Sequence, residues 1–118
     1  MNQIKYNEFC KNLEHATHVY QWDADVWKIG NKVFAIGGWE KEDAEFTVIF
    51  KCSEIAFELN KDEKGVRPAP YLASRGLKWL QVYNNETFSD EQIFEFIKDS
   101  YKMIADALPK KIKKEFMT

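Results

Sequence analysis

Val26-Trp27-Lys28-Ile29-Gly30-Asn31-Lys32-Val33-Phe34-Ala35-Ile36-Gly37 is the stretch that decides the architecture. Two runs of β-branched and aromatic residues flank Gly30-Asn31. A two-residue Gly-Asn link between such runs marks a tight β-hairpin, because both residues tolerate the positive φ its turn requires. Moving outward, residues 18–22 and 45–52 have the same strand-like composition. Asp23-Ala24-Asp25 reads as the turn before the hairpin, and the acidic residues 40–43 read as a solvated connection after it. Four consecutive strands with short links predict an antiparallel sheet. In residues 46–52, Phe46, Val48, Phe50 and Cys52 alternate with Thr47, Ile49 and Lys51, so one face of this strand meets a core.

The flanks read as helices. Tyr6, Phe9, Cys10 and Leu13 recur at helical spacing over residues 2–14, and Ser53 can cap a short helix running to Asn60. Near the end, Ser89 and Gln92 form a capping box, with Phe88 placed to staple against Ile93. Ile93, Ile97, Tyr101, Ile104 and Leu108 then form a core-facing stripe, which Pro109 discourages from continuing. Residues 77–83 alternate again and predict a fifth strand ended by Asn84-Asn85. Gly65 ends the middle helical region, and Arg67-Pro68-Ala69-Pro70-Tyr71 reads as an ordered loop outside regular structure, since both prolines lack a donor. The expected fold class is therefore α+β and two-layer: a twisted five-stranded antiparallel sheet packed with an N-terminal helix, a short middle helix and a long C-terminal helix.

With 118 residues, 45% of them hydrophobic and 15% aromatic, the chain has enough apolar surface for one self-sufficient core, so a single domain over residues 1–118 is expected. Cys10 and Cys52 belong to no CxxC or zinc-spaced cluster. Without a charged-then-apolar leader, the expectation is a cytoplasmic protein whose cysteines are small core hydrophobes. The apolar runs are far shorter than the roughly 20 residues a membrane span needs. A formal net charge of −2 gives no global basic field for nucleic acid. The charge is nevertheless uneven: residues 1–60 carry 6 Lys against 10 Asp/Glu, while residues 61–118 carry 11 Lys/Arg against 9 Asp/Glu.

No phosphate-binding glycine loop, metalloprotease helix or nucleophile elbow is present. Gly37-Gly38 lacks the third glycine and the helix start of a nucleotide loop, and reads as a bulge or turn. His15 and His18 have no completing carboxylate or thiol for a metal and read as helix-end and turn histidines. No metal, cofactor or catalytic residue is assigned, and an enzyme is not expected.

The segment Gly65-Val66-Arg67-Pro68-Ala69-Pro70-Tyr71-Leu72 with Lys78-Trp79, Asp99-Ser100-Tyr101 and Leu108-Pro109-Lys110-Lys111 resembles the MmcQ/YjbR-like family. The hairpin Trp27-Lys28-Ile29-Gly30-Asn31-Lys32-Val33-Phe34-Ala35 and Phe50-Lys51-Cys52 extend the likeness over nearly the whole chain. One departure is at residues 13–19, which lack the family's Leu-Pro-Gly. The resemblance implies a type III secretion chaperone-like fold, no established enzymatic reaction, and members described as DNA-binding through a double-wing arrangement.

The candidate binding residues are Lys64, Arg67, Pro68, Pro70, Tyr71, Arg75, Lys78 and Trp79. Cations there suit phosphates and rings suit unpaired bases, and Lys110, Lys111, Lys113 and Lys114 add positive charge in the tail. The bland alternative makes Tyr71 and Trp79 core residues and the lysines solubilising surface. The partner expected is DNA or another protein, the latter if any of Trp22, Trp27, Trp39 and Trp79 is exposed as an anchor. A small molecule held by Arg67, Tyr71 and Lys78 over an aromatic floor is a third reading. A monomer without membrane contact is favoured.

Overall fold

In the computed structural model, which describes residues 1–39 and 45–117, the hairpin at Gly30-Asn31 forms as its composition predicts. The connection at residues 40–43 lies outside the described residues. Strand β2 (Ala24–Ile29) turns into β3 (Lys32–Trp39) through Gly30 at φ 55° and Asn31 at φ 68°, the pair of positive angles a tight hairpin turn needs. Strand β1 (Thr17–Gln21) pairs with β2, and β4 (Phe46–Lys51) pairs with β3. The sheet has six strands in the order β1-β2-β3-β4-β6-β5, every neighbouring pair antiparallel.

The sixth strand corrects the sequence reading. Val66–Pro68 is β5, an edge strand on β6 (Trp79–Val82), not part of an irregular loop. Proline is tolerated because of where it falls. Tyr83 N–H donates to Gly65 O at 2.8 Å and Ala69 N–H donates to Trp79 O at 2.9 Å. Pro68, opposite Leu80, therefore sits between bonded pairs with its missing donor turned away from the sheet.

The first turn is a second correction. Gln21 pairs with Ala24, so the turn is Trp22-Asp23, with φ 56° and 57°, while Ala24 and Asp25 belong to β2. Tryptophan carries no turn signal, since a bulky residue seldom adopts positive φ. Gly37-Gly38 is neither bulge nor turn but continuous β3. Its physical reason is crowding: a Cβ on Gly37 would collide with the Tyr6 ring and with Phe46. The bulge lies one turn of pleat earlier. Trp27 pairs with Ala35 and Lys28 with Val33, which leaves Phe34 unmatched.

Helices α1 (Gln3–Lys11) and α3 (Asp90–Asp106) cover one face. The α3 start carries the predicted capping box, while Phe88 meets Phe96 edge-on with ring centres 5.0 Å apart. Tyr6, Phe34, Phe50, Leu80, Ile93 and Ile97 are fully buried between the layers. Ser53 caps α2 (Glu54–Asn60). The chain does not stay irregular after Pro109: α4 (Lys110–Phe116) follows, with Ile112 against Gly30 and Phe116 stacked on His15. Cys10 and Cys52 are free and buried. Burial raises the Cys10 thiol strongly and pushes Cys52 up to about 11, although Lys78 pulls the latter the other way. Among the described residues no helix is long and apolar enough to cross a membrane.

Candidate functional site

The face of the sheet opposite α1 and α3 carries a groove of about 580 Å³. The period-two alternation of the strands supplies its floor: Ala24 from β2, Val33, Ile36 and Gly38 from β3, Thr47 and Ile49 from β4, and Trp79 from β6. The bulge shapes it. With Phe34 and Ala35 both buried, Val33 and Ile36 both line the groove, an assignment that strict alternation forbids. Gly38 keeps the floor low, since a Cβ there would stand 3.2 Å from the Cβ of Ala24.

Aromatic residues form the walls. Trp22 is 72% exposed, Trp39 60% and Tyr71 86%, while Trp79 is buried at the base. Trp22, Asp23 and Tyr71 all line the groove with positive φ, Tyr71 at 66°. L-residues in that region carry a backbone cost of about 1–2 kcal/mol each, and such cost gathers at binding sites. Asp23 is the one charged side chain among the described lining residues.

A chain of hydrogen bonds crosses the sheet beside this floor. Arg67 Nε donates to Gln81 Oε1 at 2.6 Å, Gln81 Nε2 donates to Thr47 Oγ1 at 3.2 Å, and Thr47 Oγ1 donates to Gly38 O at 3.2 Å. The Arg67 guanidinium also lies 4.5 Å from the centre of the Tyr83 ring. Four strands are thereby tied through side chains, and Gln81 and Thr47 are buried with partners.

The predicted binding residues separate. Pro70, Tyr71 and Trp79 line the groove, and Arg67 stands beside it on the same face. Lys78 alternates with Trp79 and points the other way, its Nζ 4.9 Å from the centre of the Phe57 ring of α2. Lys64 and Pro68 are exposed at the β5 edge, and Arg75 is exposed at the end of the short helical turn Ala73–Arg75. Lys110, Lys111, Lys113 and Lys114 lie on α4, which packs at the Gly30 turn, the end of β2 away from Trp22 and Asp23. Basic residues and rings thus do not converge. Sequence reasoning missed Trp22, Asp23, Trp39, Val33 and Ile49 as a group. Thr47 and Ile49 were legible as the non-core side of β4; the bulge and the Trp22-Asp23 turn were not.

Two histidines take structural places. His15 lies in the turn after α1 at φ 63°, whereas His18 is in β1 and not in a turn, its Nε2 2.7 Å from Asp25 Oδ1 while Gln3 Nε2 donates to Asp25 Oδ2 at 2.8 Å. Among the described residues no three His, Cys, Asp or Glu side chains group as a metal site.

One face roofed by helices and the other bearing a concave, ring-walled groove define a small α+β domain with a six-stranded antiparallel sheet and four α-helices. The chain belongs to the YjbR family, whose model matches residues 11–103. The crystal structure of Deinococcus radiodurans protein DR2400, described with the domain DUF419, is similar with a TM-score of 0.79 at 18% identity, over 96% of this chain and 86% of that one. A protein from Pseudomonas syringae, solved in structural genomics, is similar with a TM-score of 0.71 at 16% identity, over 88% of this chain and 99% of that one. At these identities the likeness is one of fold. No curated protein matches the chain.

Proposed function

We propose that this domain is a non-enzymatic binding module whose site is the groove on the helix-free face of the sheet, and that its ligand is a small, largely apolar molecule. The observation that carries this reading is the lining: Trp22, Trp39, Tyr71 and Trp79 around Val33, Ile36 and Ile49, with no lysine or arginine among the described residues. The volume of about 580 Å³ falls inside the range of small-molecule sites, about 300–1,000 Å³. Polyanion binding draws most of its affinity from cations on phosphates. The cations meant for that role are dispersed over the β5 edge, the Ala73–Arg75 turn, the α2 side of the sheet and α4, so DNA is the weaker reading for this face.

The test is a titration of ¹⁵N-labelled protein with a panel of small aromatic and aliphatic compounds, followed through the indole and backbone resonances. Shifts confined to Trp22, Trp39, Ile49 and Tyr71, and abolished by Ile49→Glu, are expected. Ile49 is only half-buried, so this variant is expected to keep its fold, which the dispersion of its amide resonances checks. Salt-sensitive binding of DNA oligonucleotides with shifts at Lys64, Arg67 and Arg75, and no response at the groove, would replace this reading with the nucleic-acid one.

A further inference from the structure

We infer that the groove selects an organic cation, a small molecule carrying an alkylated ammonium or a comparable delocalised positive charge. The inference rests on the groove being a small-molecule site and adds the charge of the ligand. Aromatic faces carry negative electrostatic potential, and several rings around one space attract a weakly hydrated cation more than an uncharged group of the same shape. Four aromatic residues line this groove: Trp22 from the β1–β2 turn, Trp39 at the end of β3 with its ring edge-on to Phe46, Tyr71 from the segment after β5, and Trp79 from β6. The only charged side chain among the described lining residues is a carboxylate, Asp23, next in sequence to Trp22.

The surroundings point the same way. Among the described lining residues none is cationic, so none of them sets a like charge against a positive ligand. Arg67, on the same face of the sheet, is held by Gln81 and rests against Tyr83. Lys78 rests against Phe57 on the opposite side of β6. An anionic ligand would face Asp23 and the ring faces with no cationic side chain among the described lining residues to compensate. A neutral ligand would bury apolar surface and gain at most a hydrogen bond from the carboxylate, without the attraction between opposite charges.

Matched probes separate this inference from the one beneath it. Benzyltrimethylammonium, the uncharged 2,2-dimethyl-3-phenyl-1-propanol and the anionic phenylmethanesulfonate share a phenyl ring and differ in charge. Each is titrated into the full chain by NMR at two salt concentrations. The expected result is that the cation binds about tenfold more tightly than the neutral probe, with shifts at the Trp22 and Trp39 indoles, and that the sulfonate does not bind.

Asp23→Asn, an isosteric change that suits positive φ, is expected to cut the advantage of the cation several-fold and leave the neutral probe unaffected. Trp39→Ala is expected to weaken both probes, and the cation more than the neutral one. Equal affinity for cation and neutral probe, or tighter binding of the sulfonate, overturns the cation inference and leaves the groove reading standing. A cation preference unchanged in both variants overturns it as well. No response to any probe at the groove overturns both.

Discussion

Ser100 shows how one hydroxyl closes a structural gap. The β3–β4 pairing ends at Ala35 and Phe50, just where the bulge at Phe34 interrupts the regular ladder. Ser100 Oγ donates to Phe34 O at 2.7 Å and accepts from Lys51 N–H at 3.0 Å, so the two strands stay bridged past the last pair. Ser100→Ala strands a buried carbonyl. It should cost about 2 kcal/mol in chemical denaturation, at the middle of the range for an unsatisfied buried group.

Asp25 is one residue that couples stability to pH. Burial alone would raise its carboxyl, but hydrogen bonds from Gln3, His18 and Asn7 outweigh that and hold it below the ordinary carboxylate range. A depressed folded value means the contribution is complete above the unfolded value of about 4 and is lost as pH falls through the folded one. The urea midpoint of Asp25→Asn should therefore fall less than that of the parent chain between pH 6 and pH 3.

At the scale of elements, each segment's tolerance follows from where its hydrogen bonds go. The β5 edge makes this testable with one pair of substitutions. Pro68→Ala should move stability by less than about 0.5 kcal/mol, as for an exposed position away from special features. Ala69→Pro deletes the bond to Trp79 O and should cost about 3 kcal/mol.

Helix α3 depends on its cap. Ser89 Oγ accepts from Gln92 N–H at 3.3 Å while Gln92 Oε1 accepts from Ser89 N–H at 2.9 Å. Ser89→Ala should lower the thermal midpoint by the equivalent of about 1 kcal/mol. That signature was readable directly, because capping is a local match between neighbouring residues. The β5 strand was not, because whether a proline is tolerated depends on which side of it the next strand lies.

For the whole molecule, one sheet serves two purposes. Its helix-covered face stabilises the fold with buried rings such as Phe34 and Phe50, whereas Trp22 in the first turn and Trp39 at the end of β3, edge-on to Phe46, stay open to solvent at the rim of the other face. The two sets should respond oppositely to substitution. Trp27→Ala, within the core and bonded through Nε1 to Asn7 at 2.9 Å, should cost about 3–5 kcal/mol. Trp22→Asn should leave stability unchanged or raise it by up to about 1 kcal/mol, since Asn adopts positive φ more readily, while weakening any ligand held in the groove. Denaturation curves and probe titrations on the same two variants check both halves.

The sequence by itself determined the helix-flanked antiparallel sheet, the Gly30-Asn31 hairpin, the α3 cap and the core side of β4. Each of these depends on residues close together in the chain, through periodicity or turn chemistry. The groove was decided only in three dimensions. Trp22 enters a turn that its side chain disfavours, the bulge at Phe34 puts Val33 and Ile36 on one face, and the segment at Pro70 and Tyr71 folds toward residues nearly fifty positions earlier. Such positions are set by strand pairing and by packing across the whole sheet, which override the preference of any single residue.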